Sequence, residues 1–227
     1  MRTRDYSAFL NEVSRSAQNK SFPLRVMFEL TYRCNFSCRH CYIPLSYRKK
    51  PELKTKEVCA ILDELAKIGC LYLGFTGGEP FLRKDILPIL GYAGKKGFIT
   101  TVYTNGSLVD ARTARILAGL KLGKIDITIP AINRLPFEKI TGLKGSQQKV
   151  FRAIRELKKN KVPLGFKTCV LQENQGEIAK IKRFCRLLGA GHRLDNLLSR
   201  RIDGSSEPYL CRGKIIENPA RGGDLCP

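Results

Sequence analysis

Short apolar runs alternate with amphipathic helical patterns along most of the chain. After a polar amphipathic opening at about Arg4 to Lys20, the run Val26 to Thr31 predicts a first strand. Further strands are predicted at Leu71–Thr76, Phe98–Tyr103, Ile125–Ile129, Leu164–Leu171 and Arg193–Leu198, and helices at Lys84–Lys96, Asp110–Lys121, Ser146–Asn160 and Gly176–Leu188. Strands separated by helices of this length indicate six parallel β/α units with right-handed crossovers. The sheet is therefore either doubly wound or curled into a barrel.

Both parallel architectures place their chemistry in loops at the carboxyl ends of the strands. The conspicuous motifs follow this rule. Three cysteines follow the first strand, Gly77-Gly78-Glu79-Pro80 follows the second, Thr104-Asn105-Gly106 follows the third, and Thr128 lies at the end of the fourth. The sequence therefore predicts one functional edge that combines these four segments.

The composition of the chain is that of a globular protein. With 227 residues, 43% hydrophobic and 27% charged, the chain is typical of a globular protein. No apolar run approaches the roughly 18 residues of a membrane span, and the opening lacks the apolar region of a signal peptide. We therefore expect a cytoplasmic protein without a membrane association.

Two numbers in the composition are unusual, namely nine cysteines and a formal net charge of +21. Without an export signal, an odd number of cysteines favours metal ligands, catalysis or free thiols over a disulfide framework. The charge favours an acidic partner such as nucleic acid, an anionic cofactor or an acidic peptide, but it does not indicate a reaction.

Cys34, Cys38 and Cys41 place three thiols within eight residues of one loop. Iron–sulfur clusters and structural zinc sites normally have four protein ligands, so three thiolates leave one metal position open for substrate or cofactor. The alternatives are a structural zinc site completed by His40 or a distant cysteine, and unrelated buried thiols. His40 directly precedes Cys41, which makes ligation by both residues awkward.

The spacing Cys34-x3-Cys38-x2-Cys41-Tyr42, followed by Gly77-Gly78-Glu79-Pro80 and Tyr103-Thr104-Asn105-Gly106, resembles the radical S-adenosylmethionine (radical SAM) superfamily. The similarity extends over roughly residues 24 to 208. The resemblance implies a partial (β/α)6 TIM-type barrel with parallel strands and an N-terminal helix.

The resemblance also implies the cofactors and their residues. Cys34, Cys38 and Cys41 would hold a 4Fe-4S cluster, and SAM would chelate its fourth iron. One-electron reduction by a partner such as ferredoxin or flavodoxin would cleave SAM to a 5′-deoxyadenosyl radical that abstracts hydrogen from substrate. The residues implied to contact SAM lie in the loops named above: Tyr42 near the adenine, Gly77, Gly78, Glu79 and Pro80 at the methionyl amino group, Asn105, and Thr128 at the ribose.

The remaining six cysteines fall into two groups. Four of them, Cys59, Cys70, Cys169 and Cys185, are expected to pack as small apolar side chains. The other two, Cys211 and Cys226, resemble the opening of a SPASM domain, which carries auxiliary clusters, and the chain stops where further ligands would follow. We therefore expect an N-terminal helical extension (1–22), a radical SAM core (23–200) and a tail (201–227) that resembles a truncated SPASM start.

Three functions remain open at this point. The first is a radical SAM enzyme that modifies a peptide, a protein or a peptide-derived cofactor precursor. The second is a radical SAM enzyme that modifies RNA or a nucleotide, which the charge suggests. The third is a non-catalytic, truncated iron–sulfur protein or partner subunit.

Overall fold

A computed structural model describes residues 22–196 and 198–211 together with positions 11 and 15. Its centre is one sheet of six parallel strands, hydrogen-bonded in sequence order from β1 to β6. The strands are β1 (Arg25–Thr31), β2 (Tyr72–Gly77), β3 (Ile99–Thr104), β4 (Lys124–Thr128), β5 (Leu164–Cys169) and β6 (Gly191–Asp195). The strictly sequential order confirms the partial six-stranded barrel, because a doubly wound sheet reverses its strand order at a switch point.

Six helices connect the strands and cover one face of the sheet. They are α1 (Thr55–Lys67), α2 (Ile86–Lys95), α3 (Ala111–Gly119), α4 (Arg134–Thr141), α5 (Ser146–Lys159) and α6 (Ile178–Leu187). The prediction missed α4, whose short sequence carries Pro136 in its first turn, where proline is tolerated in a helix. It also placed the last strand about two residues too late, since β6 spans Gly191–Asp195.

The two faces of the sheet have different chemistry. Ile125, Ile127 and Phe166 belong to the main apolar core, and Phe166 packs against Phe184 of α6. Because side chains alternate along a strand, Asp126 and Lys167 point to the opposite face, into the barrel. The helix-covered face therefore supplies the folding core, and the barrel interior carries charge.

The segment after β6 turns back toward the first loop. The backbone N–H of Ile202 donates to the Tyr42 carbonyl at 2.9 Å, and a short 3-10 helix, Glu207–Cys211, ends the described chain. The predicted N-terminal helix lies outside the described residues, except for positions 11 and 15, which are helical and exposed. Within the described part of the chain, no helix is long and apolar enough to span a membrane.

Candidate active site

The loop after β1 carries the three cysteines and is fixed by the polypeptide around it. The Ser37 N–H donates to the carbonyl of Thr141 at 2.9 Å, which ties the loop to the end of α4. The guanidinium of Arg48 donates to the carbonyls of Cys34 and Phe36 at 3.0 and 2.6 Å. The loop is therefore held in place from both sides by protein groups.

The thiols share a desolvated environment. Burial raises the pKa of Cys34 and that of Cys38, and the neighbouring thiols of the triplet raise both further. The Phe36 N–H lies 3.4 Å from the Cys34 sulfur, and the Asn105 amide nitrogen lies 3.9 Å from it. Because the free thiolates are disfavoured here, positively charged iron is the kind of partner that would stabilise them.

The three cysteines suit a cluster better than a single ion. Among the described residues, no three His, Cys, Asp or Glu side chains converge on a position that could hold one metal ion. Ligands of an iron–sulfur cluster bind separate irons, so their sulfur atoms need not meet at one point. Cys34, Cys38 and Cys41 are mutually within electrostatic range and share one loop, as such a cluster requires.

Gly77 and Gly78 allow the end of β2 to lie directly against the backbone of the cysteine loop. A Cβ on Gly77 would lie 2.1 Å from the Thr31 carbonyl oxygen, and one on Gly78 would lie 2.2 Å from that of Arg33. Gly77 also has φ +127°, a conformation that favours glycine. In this structure, therefore, the Gly-Gly pair is required by contact with its own chain.

Glu79 lies beneath these loops with 0% exposure. Its carboxylate accepts from the N–H groups of Phe81 and Asn105 at 3.0 and 2.7 Å and from the Thr104 hydroxyl at 2.7 Å. Burial raises the pKa of this carboxyl to about 7, against the lowering effect of those hydrogen bonds. Glu79 thus joins the loops after β2 and β3, while Pro80, also buried, begins a short 3-10 turn.

Asn105 connects the third loop to the first. Its amide nitrogen donates to the side-chain oxygen of Asn35 at 2.9 Å, and its own oxygen accepts from the Ser107 hydroxyl at 2.7 Å. The structure therefore brings Asn105 beside the cysteine loop, as the sequence suggested. Thr128 is the last residue of β4 and pairs in register with Lys167 of β5.

Tyr42 and His40 lie within the same loop but in different surroundings. The Tyr42 hydroxyl donates to the Glu29 carboxylate on β1, and burial together with this bond raises the pKa of the tyrosine. The His40 Nδ1 atom is buried and has no hydrogen-bond partner among the described residues. Burial and the nearby Lys167 lower the pKa of His40 to about 4, so the ring is neutral.

The β4–β6 side of the barrel interior carries ion pairs. Lys167 pairs with Asp195 at 2.7 Å, and Arg193 reaches the same carboxylate at 3.3 Å. Asp126 is 5% exposed and pairs with Lys124 at 3.1 Å, but its Oδ1 atom has no partner in the described structure. These charges surround the space beside Thr128.

The predicted packing cysteines differ in their surroundings. Cys70 and Cys185 are buried in the main core, whereas Cys59 is partly exposed on α1. Cys169 ends β5 and lies within electrostatic range of Cys38 and Cys41, so it belongs to the site region. Cys211 is buried with Ile140 and Leu171, and Cys226 lies outside the described residues.

Sequence reasoning missed several side chains that build the site. Arg48 begins the basic run Arg48-Lys49-Lys50, which gives no sign of a structural role, yet its guanidinium holds the cysteine loop. Asn35 and Glu29 gave no signal, because ordinary polar residues acquire these roles only through contacts made across the fold.

The chain was compared with known families and proteins. A family model described as the radical SAM superfamily matches residues 28–185. The chain is 32% identical over 170 residues to "PqqA peptide cyclase" of Gluconobacter oxydans (strain 621H), covering 74% of this chain and 48% of the relative. It is 31% identical over 157 residues to "Fe-coproporphyrin III synthase" of Methanosarcina barkeri (strain Fusaro / DSM 804), covering 69% and 39%.

Solved structures show the same fold. Streptococcus suis SuiB bound to the precursor peptide SuiA aligns with TM-score 0.69 and 18% identity, over 85% of this chain and 45% of that one. Native anSMEcpe with bound AdoMet and Cp18Cys peptide aligns with TM-score 0.64 and 19% identity, over 76% and 50%. The chain spans about half the length of the curated relatives and structures it matches. The family match covers most of the β/α core, and the chain belongs to the radical SAM superfamily.

Proposed function

We propose that this chain cleaves S-adenosylmethionine reductively at a 4Fe-4S cluster held by Cys34, Cys38 and Cys41. The observation that carries the proposal is the joining of three loops at one edge. The cysteine loop, the Gly77–Gly78 turn and Asn105 meet through backbone contact and a hydrogen bond. Once bound, the cluster and SAM would supply the 5′-deoxyadenosyl radical, and this chain's residues bind, orient and exclude water.

Individual residues receive roles by this proposal. Tyr42, Gly77, Gly78, Glu79, Pro80, Asn105 and Thr128 form the SAM side of the site. The Gly78 N–H donates to the Thr31 carbonyl at 2.7 Å and the Glu79 carboxylate is occupied by protein donors. These two residues would therefore act by shaping the loop that faces SAM. The same proposal divides the chain into an N-terminal extension (1–22), a radical SAM core (23–200) and a tail that resembles the start of a SPASM domain (201–227).

The substrate we propose is a peptide, a protein or a peptide-derived cofactor precursor. This proposal rests on the relatives, because one is named "PqqA peptide cyclase" and the SuiB structure contains the precursor peptide SuiA. The charged interior beside Thr128, with Lys167, Asp195 and Asp126, would bind polar groups of such a substrate. A soluble one-electron donor of the ferredoxin or flavodoxin type would supply the electron in the cytoplasm.

The cleavage is tested by anaerobic reconstitution of the wild type, Cys38→Ala and Cys59→Ala. We expect about four irons per chain in the wild type and in Cys59→Ala, with loss of bound iron in Cys38→Ala. With a strong reductant, the wild type and Cys59→Ala should form 5′-deoxyadenosine from SAM, and Cys38→Ala should not. One zinc per chain, or equal iron in all three proteins, would contradict the proposal.

The substrate class is tested separately by isotope transfer. The reconstituted enzyme receives either a deuterated peptide pool or deuterated RNA, and the mass of the 5′-deoxyadenosine formed is measured. We expect deuterium to appear only with peptide. Transfer from RNA alone would leave the cleavage reaction intact and show that the substrate is a nucleic acid.

A further inference from the structure

The positive charge of the chain is unevenly distributed, and one concentration lies on the outer surface away from the cysteine loop. Helix α5 carries five basic side chains and α6 carries four, against a single acidic one, Glu156. Only Lys180 among the nine forms an ion pair, with Glu177 at 2.8 Å, within the described structure. The Lys158 ammonium donates to the Leu188 carbonyl instead. The other cations lie at exposed positions, apart from the partly exposed Lys182, and none of them has a carboxylate partner among the described residues.

An apolar groove of about 480 Å³ lies between the same two helices. We call it the α5–α6 groove, and it is lined by Phe151, Ile154, Phe184 and Leu188, with Arg155, Lys158 and Lys159 at its edge. An apolar surface bordered by charge is typical of a protein-binding site. An occupant that complements the α5–α6 groove would offer both apolar side chains and negative charge.

The groove suits protein better than nucleic acid. Nucleobases bind protein surfaces by stacking on exposed aromatic rings. Here the Phe184 ring packs against Phe151 at 5.1 Å and against Phe166 at 6.0 Å between ring centroids, and both groove rings are only partly exposed. The rings therefore pack against other rings, which leaves little ring surface on which a base could stack.

The terminal segments of these 227 residues do not provide the missing charge. Residues 1–21 contain four basic and two acidic side chains, and residues 212–227 contain three basic and two acidic ones. A second copy would bring another +21, so like charges would oppose self-association through this face. Charge complementarity thus favours an acidic segment of a partner protein as the occupant of the groove.

We propose that the α5–α6 groove docks an acidic segment of a partner protein, most simply an amphipathic helix whose apolar side chains enter the groove while its carboxylates meet Arg155 and Lys159. Helix-in-groove binding uses apolar side chains spaced three to four residues apart. The surrounding cations would steer the acidic partner and set its orientation. This docking is independent of the proposed SAM chemistry.

The experiment uses the full, reconstituted chain and a fluorescent peptide of about 18 residues, roughly five helical turns, with leucines on one face and glutamates on the other. Binding is followed by anisotropy at several salt concentrations. Three comparison probes are a peptide with serine in place of leucine, one with lysine in place of glutamate, and a single-stranded RNA. We expect the Glu/Leu peptide to bind best and to weaken with salt.

Two double variants locate the binding surface. Arg155→Glu with Lys159→Glu reverses two charges at the groove, and Arg112→Glu with Arg115→Glu makes the same change on exposed positions of α3. We expect about tenfold weaker binding from the groove pair and less than twofold from the α3 pair. Circular dichroism checks that both variants remain folded.

Four results would overturn the proposal. The α3 pair could weaken binding as much as the groove pair, or the serine probe could bind as tightly as the leucine probe. RNA could bind more tightly than the peptide and depend on Arg155 and Lys159. Sedimentation could show a dimer that the groove pair dissociates, which would make a second copy the occupant.

Discussion

The two halves of the barrel edge differ in how their loops are held. Each half has a buried polar atom without a partner among the described residues, for example Arg48 Nε on the β1–β3 side and Asp126 Oδ1 on the β4–β6 side. On the β1–β3 side, Arg48 and Glu79 each hold a loop through two hydrogen bonds, and Asn105 holds the cysteine loop through its bond to Asn35. On the β4–β6 side, Asp126 keeps an unpartnered oxygen, and Lys167 with Asp195 forms a half-exposed pair. The first half is fixed before any ligand arrives, whereas the second keeps charge available.

Under the proposed function, this difference would correspond to two kinds of ligand. The cluster would stay bound from one catalytic cycle to the next, and it would benefit from preorganised loops, because no ordering cost is paid when it binds. A substrate needs groups that exchange solvent for substrate contacts. The comparison therefore predicts that substitutions on the β1–β3 side affect stability and cluster binding, while those on the β4–β6 side leave both nearly unchanged.

The largest effect is expected for Gly78→Ala. The new Cβ would lie 2.2 Å from the Arg33 carbonyl oxygen, so the turn or the cysteine loop must move. We expect a loss of about 3–5 kcal/mol in the free energy of unfolding and a fall in bound iron. Urea unfolding and iron analysis measure these changes.

Gly176→Ala is the matched control on the β5–α6 connection, where an added Cβ has no atom within 4 Å. It should change stability by less than about 1 kcal/mol. Equal losses in the two variants would remove the distinction between the halves.

Glu79 should make stability depend on pH. Its folded pKa of about 7 exceeds the ordinary value of 4.5, so the folded state binds more protons between these values. Stability should therefore fall as pH rises from about 4.5 to 7, by up to roughly 3 kcal/mol. Urea titrations of the cluster-free, reduced chain measure this slope.

Glu79→Gln should lose that part of the pH dependence. Thr104→Val removes one donor to the Glu79 carboxylate without adding or removing a titratable group. The pKa of Glu79 should therefore rise, and the fall in stability should extend to higher pH. The same slope in wild type and Glu79→Gln would show that Glu79 does not titrate in this range.

Arg48→Gln should have an intermediate effect. The substitution removes the guanidinium that bonds the Cys34 and Phe36 carbonyls, and we expect a loss of about 1–3 kcal/mol with weaker iron retention. Arg193→Gln, on a side chain that is 56% exposed, should cost less than about 1 kcal/mol. Thermal unfolding and iron release to a chelator test both, and a larger effect at Arg193 would reverse the comparison.

The smallest effect is expected for Asp195→Asn. It weakens the pairs to Lys167 and Arg193, which are partly solvent-exposed, and should cost less than about 1 kcal/mol. Iron content and SAM cleavage without substrate should remain within twofold of the wild type. A loss of iron comparable to that of Arg48→Gln would show that both halves serve the cluster.

The local patterns predicted much of the fold. Five strands begin within about one residue of their predicted positions, because buried parallel strands produce continuous apolar runs. The short helix α4 was not predicted because eight residues give a weak periodic signal. The start of the last strand was predicted two residues too late because Gly191 and His192 have no apolar signal, although they pair with Gly165 and Phe166 of β5.

The candidate site was only partly predictable. The cysteine spacing and the Gly-Gly pair are visible along the chain because a short loop and a close backbone approach demand particular residue types. The role of Arg48 was not visible, since its partners are carbonyls twelve and fourteen residues away and any residue supplies a carbonyl. The proximity of Cys169 to the triplet likewise follows from strand order.

By itself the sequence determined the β/α alternation, the family and the three cysteines, since these depend on local periodicity and spacing. Tertiary structure alone decided which groups became partners. It buried Glu79 beneath two loops and turned Lys167 into the barrel. It also brought α5 beside α6, which forms an apolar groove with basic side chains at its edge. Burial and electrostatic pairing depend on distances between segments far apart in the chain, and only the folded chain sets those distances.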